Sequence, residues 1–324
     1  MDGLLFCRTN PLLLPAKRLQ VGAYTIESFG GAYHKHLLTR GNSTLEIIPE
    51  RGALMNNLIL DGHQLTDHYK DAAELNTLDW AKSALLFPFP NRLREGQYSW
   101  NGNTYQFPIN LAPNAIHGFG MFESFEVSEV EQAAEASTIH LSYHYDRKFD
   151  FYPFRFSITV SYTLSDDALR VSFMAKNEDQ QAIPMGLGWH PYFTLGGNVA
   201  DWFLQTPDLQ KVVVDNNMIP TGVRVPFTHF AAGESIGGFE VDTCFQTSEA
   251  SATVIELSSD AGRLQYWQDD NFKYVQLFIP PNRTCLAIEP MTCNVDAFNQ
   301  APSEITLEPN QTVGGSFGIK WTKA

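Results

Sequence analysis

Phe154-Arg-Phe-Ser-Ile-Thr-Val-Ser-Tyr-Thr-Leu164 sets apolar side chains at 154, 156, 158 and 160 against Arg155, Ser157, Thr159 and Ser161. Successive side chains of a strand point to opposite faces, so this period of two marks a strand with one buried face. Outward from it, residues 168–176 follow after Asp166-Asp167, a natural turn, and residues 122–130 and 137–145 precede it. Together the four runs predict a β-meander whose work is stability. His140 and His144 are spaced as neighbours on a helix, but the residues around them read as strand, which assigns both to packing. Further out the pattern repeats. Residues 23–29, 34–39, 44–48 and 54–60 are short β-type runs with glycine breaks; 253–257, 263–268, 274–279 and 285–289 continue the β content, and 307–318 reads as a closing strand pair. Only 71–75 and 78–86 have helical composition, predicting a short helix or an excursion. The fold class is all-β with few short helices.

Composition narrows the function. The chain has 324 residues, 44% hydrophobic and 18% charged, which is ample for a large core. Its 22 basic against 36 acidic residues give a net charge of −14, which repels phosphate backbones and anionic lipid heads. We therefore expect no nucleic acid and no membrane partner. Cys7, Cys244, Cys285 and Cys293 are scattered with no Cys-x-x-Cys pair, so neither a disulfide framework nor a zinc site is expected. His34 and His36 share a strand face but have no third ligand nearby in sequence, and read as solvent-facing. Residues 12–14 are too short an apolar run for a signal peptide, no run approaches the roughly 18 residues of a membrane span, and a cytoplasmic protein is expected. No P-loop, dinucleotide fingerprint or internal repeat is present.

The chemistry gathers in three segments. Residues 97–100 and 103–107 read as a hairpin closed by Asn101-Gly102, since both residues tolerate the positive φ of a type I′ turn. Beyond it, Asn114-Ala-Ile-His117-Gly118 presents a histidine on a loop, where chemistry is commoner than packing. In Gly188-Trp189-His190-Pro-Tyr192-Phe193 a histidine is crowded by rings, as a sugar site would use them: C–H faces of a pyranose stack on aromatics while a polar head does the work. A core histidine satisfied by backbone is the alternative. Glu289 closes the apolar run from Cys285 to Ile288; partial burial would raise its pKa towards that of a base, whereas a surface glutamate ending a strand would do nothing. Asp242, after Gly237-Gly238, reads equally as a turn cap or a hydroxyl ligand.

The run from Asn91-Arg92-Leu93 through Gly96, Tyr98, Asn101-Gly102, Tyr105, Asn110 and Asn114 to His117-Gly118 resembles the signature of the aldose 1-epimerase (galactose mutarotase-like) family. Gly188–Phe193 and Ala287-Ile-Glu289-Pro290 resemble it further along, in the family's order. The resemblance implies a large antiparallel β-sandwich forming a single domain over residues 1–324, a cleft on one sheet, and no metal or organic cofactor. It implies interconversion of α and β anomers of a hexose, with Glu289 as base at the C1 hydroxyl, His190 as acid at the ring oxygen and His117 assisting. Arg92 and Asp242 would hold hydroxyls, with Trp189 and Tyr192 as site walls. The surroundings of His190 differ from the Asn-x-Thr-Asn-His-Ser-Tyr-Phe type of galactose mutarotases proper and resemble a broader epimerase-like branch. A hexose-6-phosphate 1-epimerase is one alternative, with only Arg92 and Arg94 as nearby cations, and a non-catalytic carbohydrate-binding protein is another. A lyase or hydrolase is disfavoured, because hydrolysis calls for paired carboxylates and Glu289 has no evident second member. The oligomeric state is not legible.

Overall fold

A computed structural model of the chain describes residues 22–247 and 252–324; Cys7 and the apolar run 12–14 lie outside them. The predicted meander forms as Glu126–Gln132, Ser137–Asp146, Arg155–Leu164 and Ala168–Asn177, each antiparallel to the next. Phe156, Ile158 and Val160 are buried at 0–1% exposure, as the alternation requires. The first strand starts later than expected: Gly120–Phe122 is a short 3-10 turn, and pairing begins at Glu126. These strands make one side of a nine-stranded sheet.

The C-terminal segment departs from expectation in a way that matters for stability. Thr306–Leu307 and Thr312–Lys323 do not pair with one another. Instead Thr312–Lys323 lies in the middle of the nine-stranded sheet, between Ala168–Asn177 and Gly262–Gln268, while Thr306–Leu307 pairs with Ile183–Pro184. A local turn signal cannot report such long-range pairing, because partner choice is set by which faces must be buried together.

The second large sheet runs in the order Pro220–Phe227, Leu209–Val214, Asp242–Gln246, Tyr274–Phe278, Leu286–Met291, Gly188–Trp189 and Leu85–Leu86, with Tyr192–Phe193 also paired to Leu286–Met291. Rings tie it to the first sheet: Trp189 stacks on Phe317 at 4.9 Å and Phe193 meets Tyr266 at 6.3 Å. A five-stranded sheet, from Ala23–Gly30 to His63–Gln64, adds to the same core, where the Tyr162 hydroxyl donates to the Ala53 carbonyl at 2.8 Å. The result is a large antiparallel β-sandwich. The expected helix is Ala72–Thr77, capped by Asp71, whose side chain accepts from the Glu74 N–H. Residues 78–86 do not extend it, since Leu78, Trp80, Ala81 and Ser83 all have positive φ.

Candidate active site

Two strands of the second sheet carry the central groups. Leu286–Met291 is buried throughout, and Glu289, its one charged residue, is 2% exposed. The reading of Glu289 as a surface residue is therefore overturned. Gln276 lies directly opposite it in the ladder, and on the next strand Asp242 lies diagonal to Gln276 on the same face. Gln276 Nε2 donates to Asp242 Oδ1 at 2.5 Å, and its Oε1 accepts from Asn91 Nδ2 at 3.3 Å. Gln276 thus joins the sheet to the loop that carries Arg92.

His190 follows Gly188–Trp189 and is clamped by backbone: its N–H donates to Ala84 O at 3.0 Å and its carbonyl accepts from the Ser83 N–H at 2.8 Å. The ring then stacks on Tyr192 at 5.0 Å and brings Nε2 to 3.4 Å from Glu289 Oε1. His117 arrives from the other side. The short ladder pairs Arg92 with Ile116, His117 N–H donates to Asn91 O at 2.9 Å, and Asn91 N–H donates to His117 Nδ1 at 3.2 Å. Because Nδ1 accepts, a neutral His117 carries its proton on Nε2. Its ring meets His190 edge to face at 5.1 Å. This placement needs φ of +66° at His117, a strained value for a residue with a side chain, and +62° at Gly118, where a Cβ would come within 2.2 Å of Phe87 O.

Burial sets the electrostatics. Desolvation holds the Glu289 carboxyl well above its usual value, reinforced by Asp242 and opposed by Arg92. The same effect lowers His190 to about 4, and lowers His117 well below its ordinary value, helped by His190 and Arg92. Asp242 is raised by desolvation against the pull of Arg92 and Gln276. Glu289 Oε2 and His190 Nδ1 are buried with no protein hydrogen-bond partner. Natural cores rarely leave such atoms unmatched, and those that do are concentrated where a site has work to do.

Arg92, His117, His190, Tyr192, Asp242 and Glu289 all line one cavity of about 530 Å³. Trp189 does not join them. It is fully buried, stacked on Phe317, and its Nε1 donates to Ser83 O, because adjacent residues of a strand point to opposite faces and His190 takes the cavity side. Arg94 is likewise turned away, towards Asp215 and Asp296 at 3.7 and 3.8 Å. Sequence reasoning missed Gln276, Phe278 and Arg51 in the cavity wall. Gln276 had a signal, a lone amide in Tyr-Val-Gln-Leu-Phe; Arg51 had none, because only the fold brings the turn after Ile48 to this mouth. Cys244, Cys285 and Cys293 are buried free thiols. Among the described residues no cluster of side chains could hold a metal.

A carboxyl and an imidazole are thus buried together in a polar-floored cavity walled by rings on a β-sandwich. The aldose 1-epimerase family model matches residues 34–320, and the chain belongs to that family. It is an isomerase of the epimerase or mutarotase type. An uncharacterised Escherichia coli protein, YihR, is 28% identical over 302 residues, 88% of this chain and 89% of its own. Galactose mutarotase of Rattus norvegicus is 29% identical over 140 residues, 42% of this chain and 40% of that one. Among solved structures, a galactose mutarotase-like protein of Clostridium acetobutylicum superposes with a TM-score of 0.84 at 18% identity, covering 94% of this chain and 99% of the other. Galactose 1-epimerase of Lactobacillus acidophilus gives 0.81 at 16% identity, with the same two coverages. Among the described residues no helix is long and apolar enough to cross a membrane.

Proposed function

We propose that the protein interconverts the α and β anomers of an aldohexose, with Glu289 and His190 as its acid–base pair. One observation carries the reading: His190 Nε2 and Glu289 Oε1 lie 3.4 Å apart, both nearly excluded from water and both on the wall of a cavity that can hold a sugar. Ring opening must take a proton from the C1 hydroxyl and give one to the ring oxygen. Those two oxygens share a single carbon, so the base and the acid must sit about this close.

The pair carries one proton, which burial leaves on Glu289 at rest; the reactive form is the tautomer with that proton on His190 Nε2, a carboxylate beside an imidazolium. Glu289 accepts the proton of the C1 hydroxyl, the C1–ring oxygen bond breaks as the C1 carbonyl forms, and His190 passes its Nε2 proton to the ring oxygen. The protein ends as carboxylic acid and neutral imidazole with its proton count unchanged. Burial favours those neutral forms, so once the ring has opened the pair is back in its resting protonation. Rotation about C1–C2 and the reverse transfers give the other anomer. His117, with Nε2–H available, supports the ring oxygen; Arg92 and Asp242 hold hydroxyls, and Tyr192 packs on the ring.

The domain reading, one unit over residues 1–324, is supported by the site, whose groups come from residues 91 to 289 and share one wall. A cytoplasmic setting is supported by the free thiols at Cys244, Cys285 and Cys293, which suit a reducing compartment. The test is polarimetry, or proton NMR of the anomeric signals, on fresh α-D-glucose and α-D-galactose. Wild type should accelerate equilibration, and Glu289→Gln and His190→Asn should each lose roughly 10²- to 10⁴-fold while staying folded. Silence across both sugars, other aldoses and glucose 6-phosphate would leave a carbohydrate-binding protein.

A further inference from the structure

His190 and Tyr192 are held by two stretches of backbone far from Glu289 in sequence. In one, the Ser83 N–H donates to His190 O at 2.8 Å and Ala84 O accepts from the His190 N–H at 3.0 Å, while Ser83 O accepts from Trp189 Nε1 at 3.1 Å. In the other, the Asp67 N–H donates to Tyr192 O at 2.9 Å, and Thr66 bridges to Phe193. The segment that carries the imidazole therefore follows residues 66–67 and 83–84 wherever they go.

Lys82 joins these two stretches. Its Nζ lies 3.2 Å from Asp67 Oδ2 and 3.4 Å from Glu74 Oε1, and its N–H donates to the Tyr69 hydroxyl at 2.9 Å. The ammonium also sits 5.4 Å from the Tyr69 ring centre, a cation over an aromatic face. The Lys82 side chain is 12% exposed, so solvent and salt screen these contacts less than they would at the surface. The tie is under load. Ala81 and Ser83, on either side of Lys82, have φ of +48° and +55°, left-handed values that residues with a side chain keep only where the surroundings impose them.

We propose that Lys82 is a positioning residue for the acid–base pair: its ion pair with Asp67 braces residue 83 against residue 67 and so fixes His190 beside Glu289. Neither Lys82 nor Asp67 lines the cavity, so the effect passes through the backbone bonds at Asp67, Ser83 and Ala84. With the brace cut, the strained run beside it relaxes and carries the His190 ring away from Glu289 Oε1, now 3.4 Å distant. Proton transfer between held groups is steep in distance, and a shift of about 1 Å can cost on the order of 10²-fold. The consequence for rate rests on the epimerase reading; the brace itself does not.

The experiment joins anomer-exchange kinetics on glucose and galactose to amide hydrogen exchange by NMR. Lys82→Met and Asp67→Asn should each lower kcat roughly tenfold or more, with KM moving by less than about twofold. The double variant should be no slower than the slower single, because both changes remove one interaction. Lys82→Arg should restore most of kcat, and Glu74→Gln, which leaves the Asp67 pair intact, should keep it. In Lys82→Met the Ser83 and His190 amides should exchange faster, while that of Val160, paired on both sides in the other sheet, stays as in wild type. Unchanged exchange at Ser83 and His190 overturns the brace. So does an unchanged kcat in an active protein, a loss confined to KM, additive losses in the double variant, or a loss in Glu74→Gln as large as in Lys82→Met. A wild type that turns over no sugar, with exchange quickened around residues 83 and 190 alone in Lys82→Met, keeps the brace and sinks the epimerase reading instead.

Discussion

The two large sheets use the same alternation to opposite ends. In the nine-stranded sheet Phe156, Ile158 and Val160 face a core of rings, Phe87, Phe119 and Tyr145 among them, and the polar residues between them face outward or find partners. His140 there bonds Ser161 at 2.8 Å, and the His144 side chain is 72% exposed. In the other sheet, Tyr274–Phe278 and Leu286–Met291 are buried on both faces, yet they hold Gln276 and Glu289. The nine-stranded sheet leaves a few neutral atoms unpartnered, Ser137 Oγ and Trp321 Nε1 among them, but buries no carboxyl or histidine residue. The other keeps an ionisable group out of water with an oxygen unpartnered, which costs stability and raises that group's pKa.

The sharpest way to break this contrast is to damage each sheet and read both properties. Phe156→Ala should cost about 3–5 kcal/mol in denaturant unfolding and leave the rate per folded molecule unchanged. Glu289→Gln should do the reverse, abolishing anomer exchange without loss of fold. Comparable damage to rate and stability from either variant would mean the sheets do not divide the work.

The pH profile is the next largest effect. In the proposed mechanism the pair carries one proton, so activity should fall where it gains a second or loses its only one. With His190 lowered to about 4 by burial, the acid limb should lie near pH 4 rather than near the usual imidazole value. With Glu289 raised, the alkaline limb should lie well above the ordinary carboxyl range. An inflection between pH 6 and 7 in kcat/KM would place an ordinary, solvated histidine in the mechanism.

A smaller effect concerns stability alone. A carboxyl whose folded pKa is raised binds its proton more tightly in the folded state, so its contribution is full at low pH and is lost as pH rises towards the folded value. Glu289→Gln removes that loss. Its Tm should exceed that of wild type at pH 8 by about 2 °C or more, with the gap closing towards pH 4. At the bottom of the scale, His144→Ala should change stability by less than about 0.5 kcal/mol and leave the rate alone. A measurable rate change there would join the two sheets functionally.

The meander was legible from its alternation, and the hairpin from Asn101-Gly102, whose φ values of +49° and +79° the structure shows. His117, His190 and Glu289 were legible as candidates from their local settings and from the family resemblance. Other parts were not. Trp189 was grouped with the site because it neighbours His190, and the fold turned it to the core. Gln276 and Arg51 went unread because a residue's place on a cavity wall depends on strands far away in the chain.

What the sequence determined by itself is whatever depends on composition and neighbours: strand period, turn chemistry, the net negative charge, and the residue types able to carry protons. What only the tertiary structure decided is distance and solvent. His190 and Glu289 are 99 positions apart, and nothing local states that they meet at 3.4 Å or that both leave water. Their altered acidity follows from that burial, and burial is a property of the assembled sheets.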